Sequence, residues 1–120
     1  MNSGSTLEAI MFAGHHNINN LICIVDKNQY QALGRTEDVI NLDPLSKKWE
    51  SFGWDVHRID GHNMAEIMEI LRKPVHPEKP RVIIADTIKG KGVSFMEGQT
   101  AWHGVAPSKE DYEKALKELE

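Results

Sequence analysis

The chain has 120 residues, 40% of them hydrophobic and 27% charged, the balance of one soluble domain able to bury about two-thirds of its unfolded surface. Its 18 acidic and 14 basic residues leave a net charge of −4, which argues against nucleic acid or an anionic membrane as the main partner. The longest apolar run, residues 21–25, is too short to span a bilayer. No charged-then-apolar leader opens the chain, so no signal peptide is expected. The lone Cys23 excludes an internal disulfide and suits a cytoplasmic protein.

Ser5 and Glu8 have the spacing of a capping box and predict a helix start. Leu7, Ile10, Met11 and Gly14 follow at helical spacing, and Ala9, Phe12 and Ala13 make the other faces apolar too. Such a helix is expected to be buried on most sides and to end near Asn17. Leu21 to Val25 is continuous and mostly β-branched, which predicts an interior parallel strand covered on both faces. Asp43-Pro44 predicts a second helix, with Asp as N-cap and Leu45, Trp49 and Phe52 facing inward. Gly53 ends it. Trp54, Val56 and Ile59 make a short strand closed by Asp60-Gly61-His62. Met64, Ile67, Met68 and Leu71 form a third helical stripe, followed by a proline-marked loop to Pro80. Val82 to Ala85 is the third strand, running into Lys89-Gly90-Lys91-Gly92. Residues 93–107 show no period. Ser108 and Asp111 cap a last helix whose apolar face is Tyr112, Ala115, Leu116 and Leu119.

Helices alternating with strands predict an α/β fold: a parallel sheet of about three strands with flanking helices. In such sheets ligands bind beyond the carboxyl ends of the strands. That rim collects Asp26 and Asn28, Asp60 and His62, and Thr87 and Lys89.

The segment from Asp26 to Gly34 offers amide and carbonyl oxygens for a hard cation such as magnesium, or simply an Asx-turn closing a strand. The Lys89–Gly92 loop has donors that suit an anion, or is a flexible surface loop. It is not a Walker motif. His103, in Trp102-His103-Gly104, suits proton transfer near neutral pH, or is an exposed histidine beside a packed tryptophan. His15 and His16 point about 100° apart on their helix and cannot chelate together. No zinc spacing and no nucleophile elbow is present.

Four ordered pieces carry a resemblance. They are Asn2-Ser3-Gly4-Ser5 with Glu8-Ala9 and Phe12-Ala13; Asn20-Leu21-Ile22 into Val25-Asp26-Lys27-Asn28 with Gln31 and Gly34; Trp49 and Phe52-Gly53-Trp54 with Asp60-Gly61-His62; and Thr87 to Val93 with Trp102-His103-Gly104. In order and spacing they closely resemble the N-terminal, diphosphate-binding domain of transketolase, above all the short, split-gene type. The resemblance covers nearly the whole chain and makes residues 1–120 a single partial domain. It implies a thiamine diphosphate enzyme that moves a two-carbon ketol unit between sugar phosphates. By motif match, Asn28 would be a side-chain ligand of magnesium (or calcium or manganese) and Tyr30 a backbone ligand. Lys89 and Gly90 would lie near the cofactor. His103 resembles the family histidine that contacts cofactor or substrate and aids proton transfer. Gly61 and His62 match a family motif to which no chemical role is assigned.

The resemblance also carries departures. In the family, a strand ending Gly-Asp-Gly-Glu supplies a magnesium-ligating aspartate just before the segment matching Asn2. Ser3 stands where the family tends to have a glutamate at an interface between subunits. A second domain binds the pyrimidine ring and activates the cofactor. The expectation is therefore a homo-oligomer, inactive by itself, that works with a complementary pyrimidine-domain subunit. The alternatives are a truncated α/β module that folds without activity, or part of another thiamine diphosphate enzyme such as a deoxyxylulose-phosphate synthase or phosphoketolase.

Overall fold

A computed structural model describes residues 1–120. In chain order the elements are α1 (Gly4–His15), β1 (Ile22–Lys27), β2 (Tyr30–Gln31), β3 (Gly34–Arg35), α2 (Thr36–Val39), α3 (Leu45–Ser51), β4 (Asp55–Asp60), α4 (Met64–Arg72), β5 (Arg81–Asp86), a 3-10 turn (Thr100–Trp102) and α5 (Lys109–Leu119). The α/β alternation read from the sequence is present. The short pieces β2, β3, α2 and the 3-10 turn are additions, too brief to leave a periodic signal. The chain divides into two compact units, residues 1–27 with 42–86 and residues 28–41 with 87–120.

The first unit holds a three-stranded sheet in the order β1–β5–β4, parallel throughout. The register sets Lys27, Asp86 and Asp60 level at the carboxyl rim. β5 is the interior strand: Arg81 to Ala85 are all buried, Val82 and Ile84 completely. This corrects the expectation for residues 21–25. β1 is an edge strand, with Val25 inward but Ile24 62% exposed. Both runs are apolar enough for the interior, and only β5 has a neighbour on each side.

One core cluster joins Ile10 and Ala13 of α1, Leu45 and Trp49 of α3, Trp54, Val25, Val82 and Ile84. Burial of each large apolar side chain contributes about 1.5–3 kcal/mol. Gly14 admits this packing, because a Cβ there would lie 1.9 Å from the Phe52 carbonyl oxygen. The buried Trp54 Nε1 donates to the Ile10 carbonyl at 2.9 Å, tying the start of β4 to α1.

Helix ends explain further corrections. Thr6 and Leu7 N–H both donate to the Ser3 carbonyl, so the ladder starts at Ser3. Ser5 therefore lies inside the first turn, its hydroxyl on that of Ser3 rather than acting as a cap. α1 buries only Ile10, Ala13 and Gly14, while Leu7, Met11 and Phe12 are exposed, so it is not covered on most sides. It ends in a Schellman motif: Asn17 (φ 51°) donates to Gly14 and Ile18 donates to Ala13. α3 ends the same way, with Gly53 (φ 85°) donating to Glu50 and Trp54 to Trp49. The hydrophobic contact of that motif is the edge-to-face Trp49–Trp54 pair, centroids 4.6 Å apart. At its start, Asp43 accepts from Leu45 N–H at 3.3 Å, but the N-cap position belongs to Pro44.

α4 opens on Asn63, whose side chain accepts from Ala65 and Glu66 N–H. Its buried residue is Ile70; Met64, Met68 and Leu71, expected on the inner stripe, are exposed. Arg81 accounts for the loop after α4. Its guanidinium is 1% exposed and donates to Asp55 Oδ2 (3.1 Å) and to the carbonyls of Ile70 (3.3 Å), Lys73 (2.8 Å) and Pro74. A buried cation thus neutralises the carbonyl end of α4 and one carboxylate of β4.

In the second unit, β2 and β3 pair antiparallel, Tyr30 opposite Arg35. The Arg35 guanidinium lies 5.8 Å from the centre of the Tyr30 ring. α5 is capped as its sequence predicts, Ser108 Oγ accepting from Asp111 N–H at 3.1 Å. Its expected apolar face is only partly covered: Ala115 is half-buried, while Tyr112, Leu116 and Leu119 are exposed.

Candidate functional site

Asn28, Tyr30, Lys89, Gly90 and His103 all fall in the second unit. Asn28 comes directly after β1, and its Oδ1 accepts from Tyr30 N–H at 2.9 Å. That bond makes an Asx-turn, which fixes the Asn28 side chain and the Tyr30 backbone relative to each other. Turn and cation ligation are compatible at one atom, because an amide oxygen carries two lone pairs. Tyr30 stands near Gly98: a Cβ on that glycine would come 3.4 Å from the phenol oxygen.

Residues 88–99 are not an open, flexible loop. Lys91 N–H donates to Ile88, Val93 to Gly90, Met96 and Glu97 to Val93, Gly98 to Lys89 and Gln99 to Met96, at 2.9–3.2 Å. Gly92 N–H donates to Glu97 Oε1 at 3.0 Å, and Val93 is buried. The turn requires glycine at Gly90 (φ 74°), where a Cβ would meet the Met96 carbonyl oxygen at 2.6 Å. The backbone donors of Lys91, Gly92 and Val93 are thus used internally. The N–H groups of Lys89 and Gly90 stay outside the loop's own bonding, beside the half-buried Lys89 side chain. Of the four backbone donors in Lys89–Gly92, two remain outside the loop's own bonding.

Further on, the Phe95 and Trp102 rings meet at 5.6 Å, and Trp102 Nε1 donates to the Phe95 carbonyl at 3.2 Å. His103 N–H closes the 3-10 turn onto Thr100 at 3.0 Å, and its imidazole is exposed. The stretch without a period is therefore built on aromatic packing and turns, with His103 at the end of an anchored segment. Glu118 reaches back from α5 to Ser94, accepting from its N–H and, at 2.9 Å, from its hydroxyl. The contributions of Glu97 and Glu118 escaped sequence reasoning, since an acid five or more residues from its partner looks like solvated surface.

Two neutral oxygens, the Asn28 amide and the Tyr30 carbonyl, are hard donors of the type magnesium takes. Octahedral magnesium needs six, and no group of three His, Cys, Asp or Glu side chains converges in the chain. The residues therefore fit part of an oxygen shell, the remainder being left to a bound diphosphate, water or another chain.

The polar rim of the first unit is tied up in ion pairs. Lys27 meets Asp43 at 3.1 Å, and Arg58 grips Asp86 through two nitrogens. The Lys27 ammonium and the Leu45 N–H hold the Asp43 carboxyl below its ordinary range. Asp60 accepts from His62 N–H at 2.8 Å, which shapes the Asp60-Gly61-His62 turn. No helix is long and apolar enough to cross a membrane.

Residues 1–119 match the family described as "Transketolase, thiamine diphosphate binding domain". The chain is 42% identical over 119 residues to one named subunit of the apulose-4-phosphate transketolase of Actinobacillus succinogenes, covering 99% of this chain and 43% of that protein. It is 42% identical over 118 residues to the 6-deoxy-6-sulfo-D-fructose transketolase subunit SqwG of a Clostridium strain, covering 98% and 43%. A solved transketolase from Campylobacter jejuni superposes with a TM-score of 0.88 at 32% identity, covering 96% of this chain and 18% of that one. The chain spans less than half the length of these relatives. It belongs to the transketolase family, as a match to the thiamine diphosphate-binding domain.

Proposed function

We propose that this chain supplies the diphosphate-binding part of a thiamine diphosphate site in a two-subunit transketolase. The reaction is transfer of a two-carbon ketol unit between sugar phosphates, and a complementary chain brings the pyrimidine-binding part. The observation that carries this reading is the Asn28–Tyr30 Asx-turn, which sets two hard oxygen donors directly after β1 in a chain matching this family over residues 1–119. The naming of the relatives as separate subunits supports a complementary partner.

When bound, thiamine diphosphate would supply the chemistry for breaking and forming the carbon–carbon bond. Asn28 Oδ1 and the Tyr30 carbonyl would hold a magnesium ion that offsets the diphosphate charge. Lys89 and the Gly90 N–H would meet the anionic end directly. His103, exposed on an anchored turn, moves a proton at the substrate's oxygen.

Calorimetric titration of thiamine diphosphate with magnesium tests the reading, first on the chain alone and then with its purified complementary partner. Saturable, magnesium-dependent binding supports it. Asn28→Ala then abolishes that binding, and unchanged affinity in the variant sinks the ligand assignment. Absence of binding in both settings overturns the reading and favours a folded module without activity.

A further inference from the structure

The turn that presents Lys89 and Gly90 is closed by two consecutive residues. Glu97 Oε1 accepts from Gly92 N–H at 3.0 Å and lies 3.7 Å from Lys91 Nζ. Gly98 N–H donates to the Lys89 carbonyl at 2.9 Å. Left-handed backbone at Gly90, Gly92 and Gly98 lets the two sides of the loop come this close. Glu97 thus bonds by its side chain to the backbone of the Lys89–Gly92 turn, and its carboxylate takes up the Gly92 N–H.

We infer that Glu97 is a positioning residue for anion binding: its carboxylate fixes the Lys89–Gly92 turn so that Lys89 and the Gly90 N–H meet one diphosphate together. This rests on the reading of Lys89 and Gly90 as cofactor contacts given above. Two effects of opposite sign attach to Glu97. As a charge it repels an arriving anion; as an acceptor it holds Gly92 and so the turn. The Lys91 ammonium opposes the charge at 3.7 Å, and both side chains are exposed enough for salt to screen the remainder. The hydrogen bond acts at contact range and is not screened in this way, so the acceptor role prevails.

The test titrates inorganic pyrophosphate, with magnesium and at low ionic strength, into the full chain as wild type, Glu97→Gln, Glu97→Ala, Lys89→Ala and the Lys89→Ala/Glu97→Ala pair. The melting temperature of each is recorded. Glu97→Gln keeps an oxygen for Gly92 N–H and should bind within about twofold of wild type. Glu97→Ala loses the acceptor and should bind about five- to tenfold more weakly. That loss should disappear in the Lys89→Ala background, because coupled residues do not add. Tighter binding by both Glu97 variants means that charge governs and overturns the inference. So does a loss that persists without Lys89, or a Glu97→Ala variant that melts earlier yet binds equally well. If wild type binds but Lys89→Ala binds equally, the reading of Lys89 has failed, and the inference falls with it. A wild-type chain that binds pyrophosphate neither alone nor with its complementary partner overturns both.

Discussion

Arg81 allows a stability prediction to be worked through in numbers. Its guanidinium is 1% exposed and has one anionic partner, Asp55, whose side chain is 23% exposed. Replacing Asp55 by alanine leaves that cation with three carbonyls, those of Ile70, Lys73 and Pro74. Breaking a fully buried ion pair costs about 3–5 kcal/mol, and a hydrogen bond to a charged group contributes about 1.5–3 kcal/mol. The surviving carbonyls and the partial exposure of Asp55 place Asp55→Ala near the lower range, about 2 kcal/mol. Spread over the unfolding entropy of a chain this size, the loss is a fall of about 8 °C in melting temperature. Asp55→Asn, which keeps an acceptor oxygen, should fall about half as far.

The same residue gives a pH dependence. Burial acts to raise the Asp55 carboxyl, but the His57 ring 3.0 Å away and the Arg81 guanidinium outweigh it and hold the group below its ordinary range. A depressed carboxyl contributes stability that is complete above its unfolded value of about 4 and is lost as pH falls through the folded value. The gap between wild type and Asp55→Ala should therefore be full at pH 7 and close in acid. Thermal unfolding followed by circular dichroism from neutral to acidic pH measures both effects. A variant melting within a degree of wild type at neutral pH refutes the reasoning, as does a gap that stays constant into acid.

Gly14→Ala forces its new methyl against the Phe52 carbonyl and should destabilise the chain by about 3 kcal/mol, read as a lower urea midpoint at unchanged slope; a normal midpoint would mean that α1 and α3 separate at no cost. His103→Ala removes an exposed side chain and should leave the melting temperature within about 2 °C of wild type. On the proposed reading, turnover with the complementary partner should drop about 100-fold or more. Unfolding of that variant would assign the residue to packing instead. The exposed edge of β1, with Ile22 and Ile24 outward, should drive concentration-dependent self-association that Ile24→Lys suppresses. A monodisperse monomer of wild type in light scattering at high concentration counts against it.

The local geometry around the candidate residues was partly legible because it is short-range. Asn28 and Tyr30 are two residues apart, and an Asx-turn needs nothing beyond them. Lys89 and Gly90 could be singled out by residue type. Which donors of that loop remain for a ligand was not legible, because Glu97 and Gly98 decide it by folding back. The residues around His103 lack a period for a similar reason: their order comes from one aromatic pair and one indole hydrogen bond.

What the amino-acid sequence by itself determined is what a few neighbouring residues can encode. That includes the alternation of helices and strands, the Gly53 stop, the Ser108 cap and the family motifs. Tertiary structure decided the ranking of equivalent pieces. Residues 21–25 and 82–85 read alike, yet β5 lies between two strands and β1 lies at the edge. The methionine stripe of α4 has helical period, yet the inward residue is Ile70. Arginine is a residue type rarely buried, yet Arg81 is the most enclosed charge in the chain. A periodic pattern fixes only which side chains share a face. Which face is covered depends on segments far along the chain, and burial follows from that pairing.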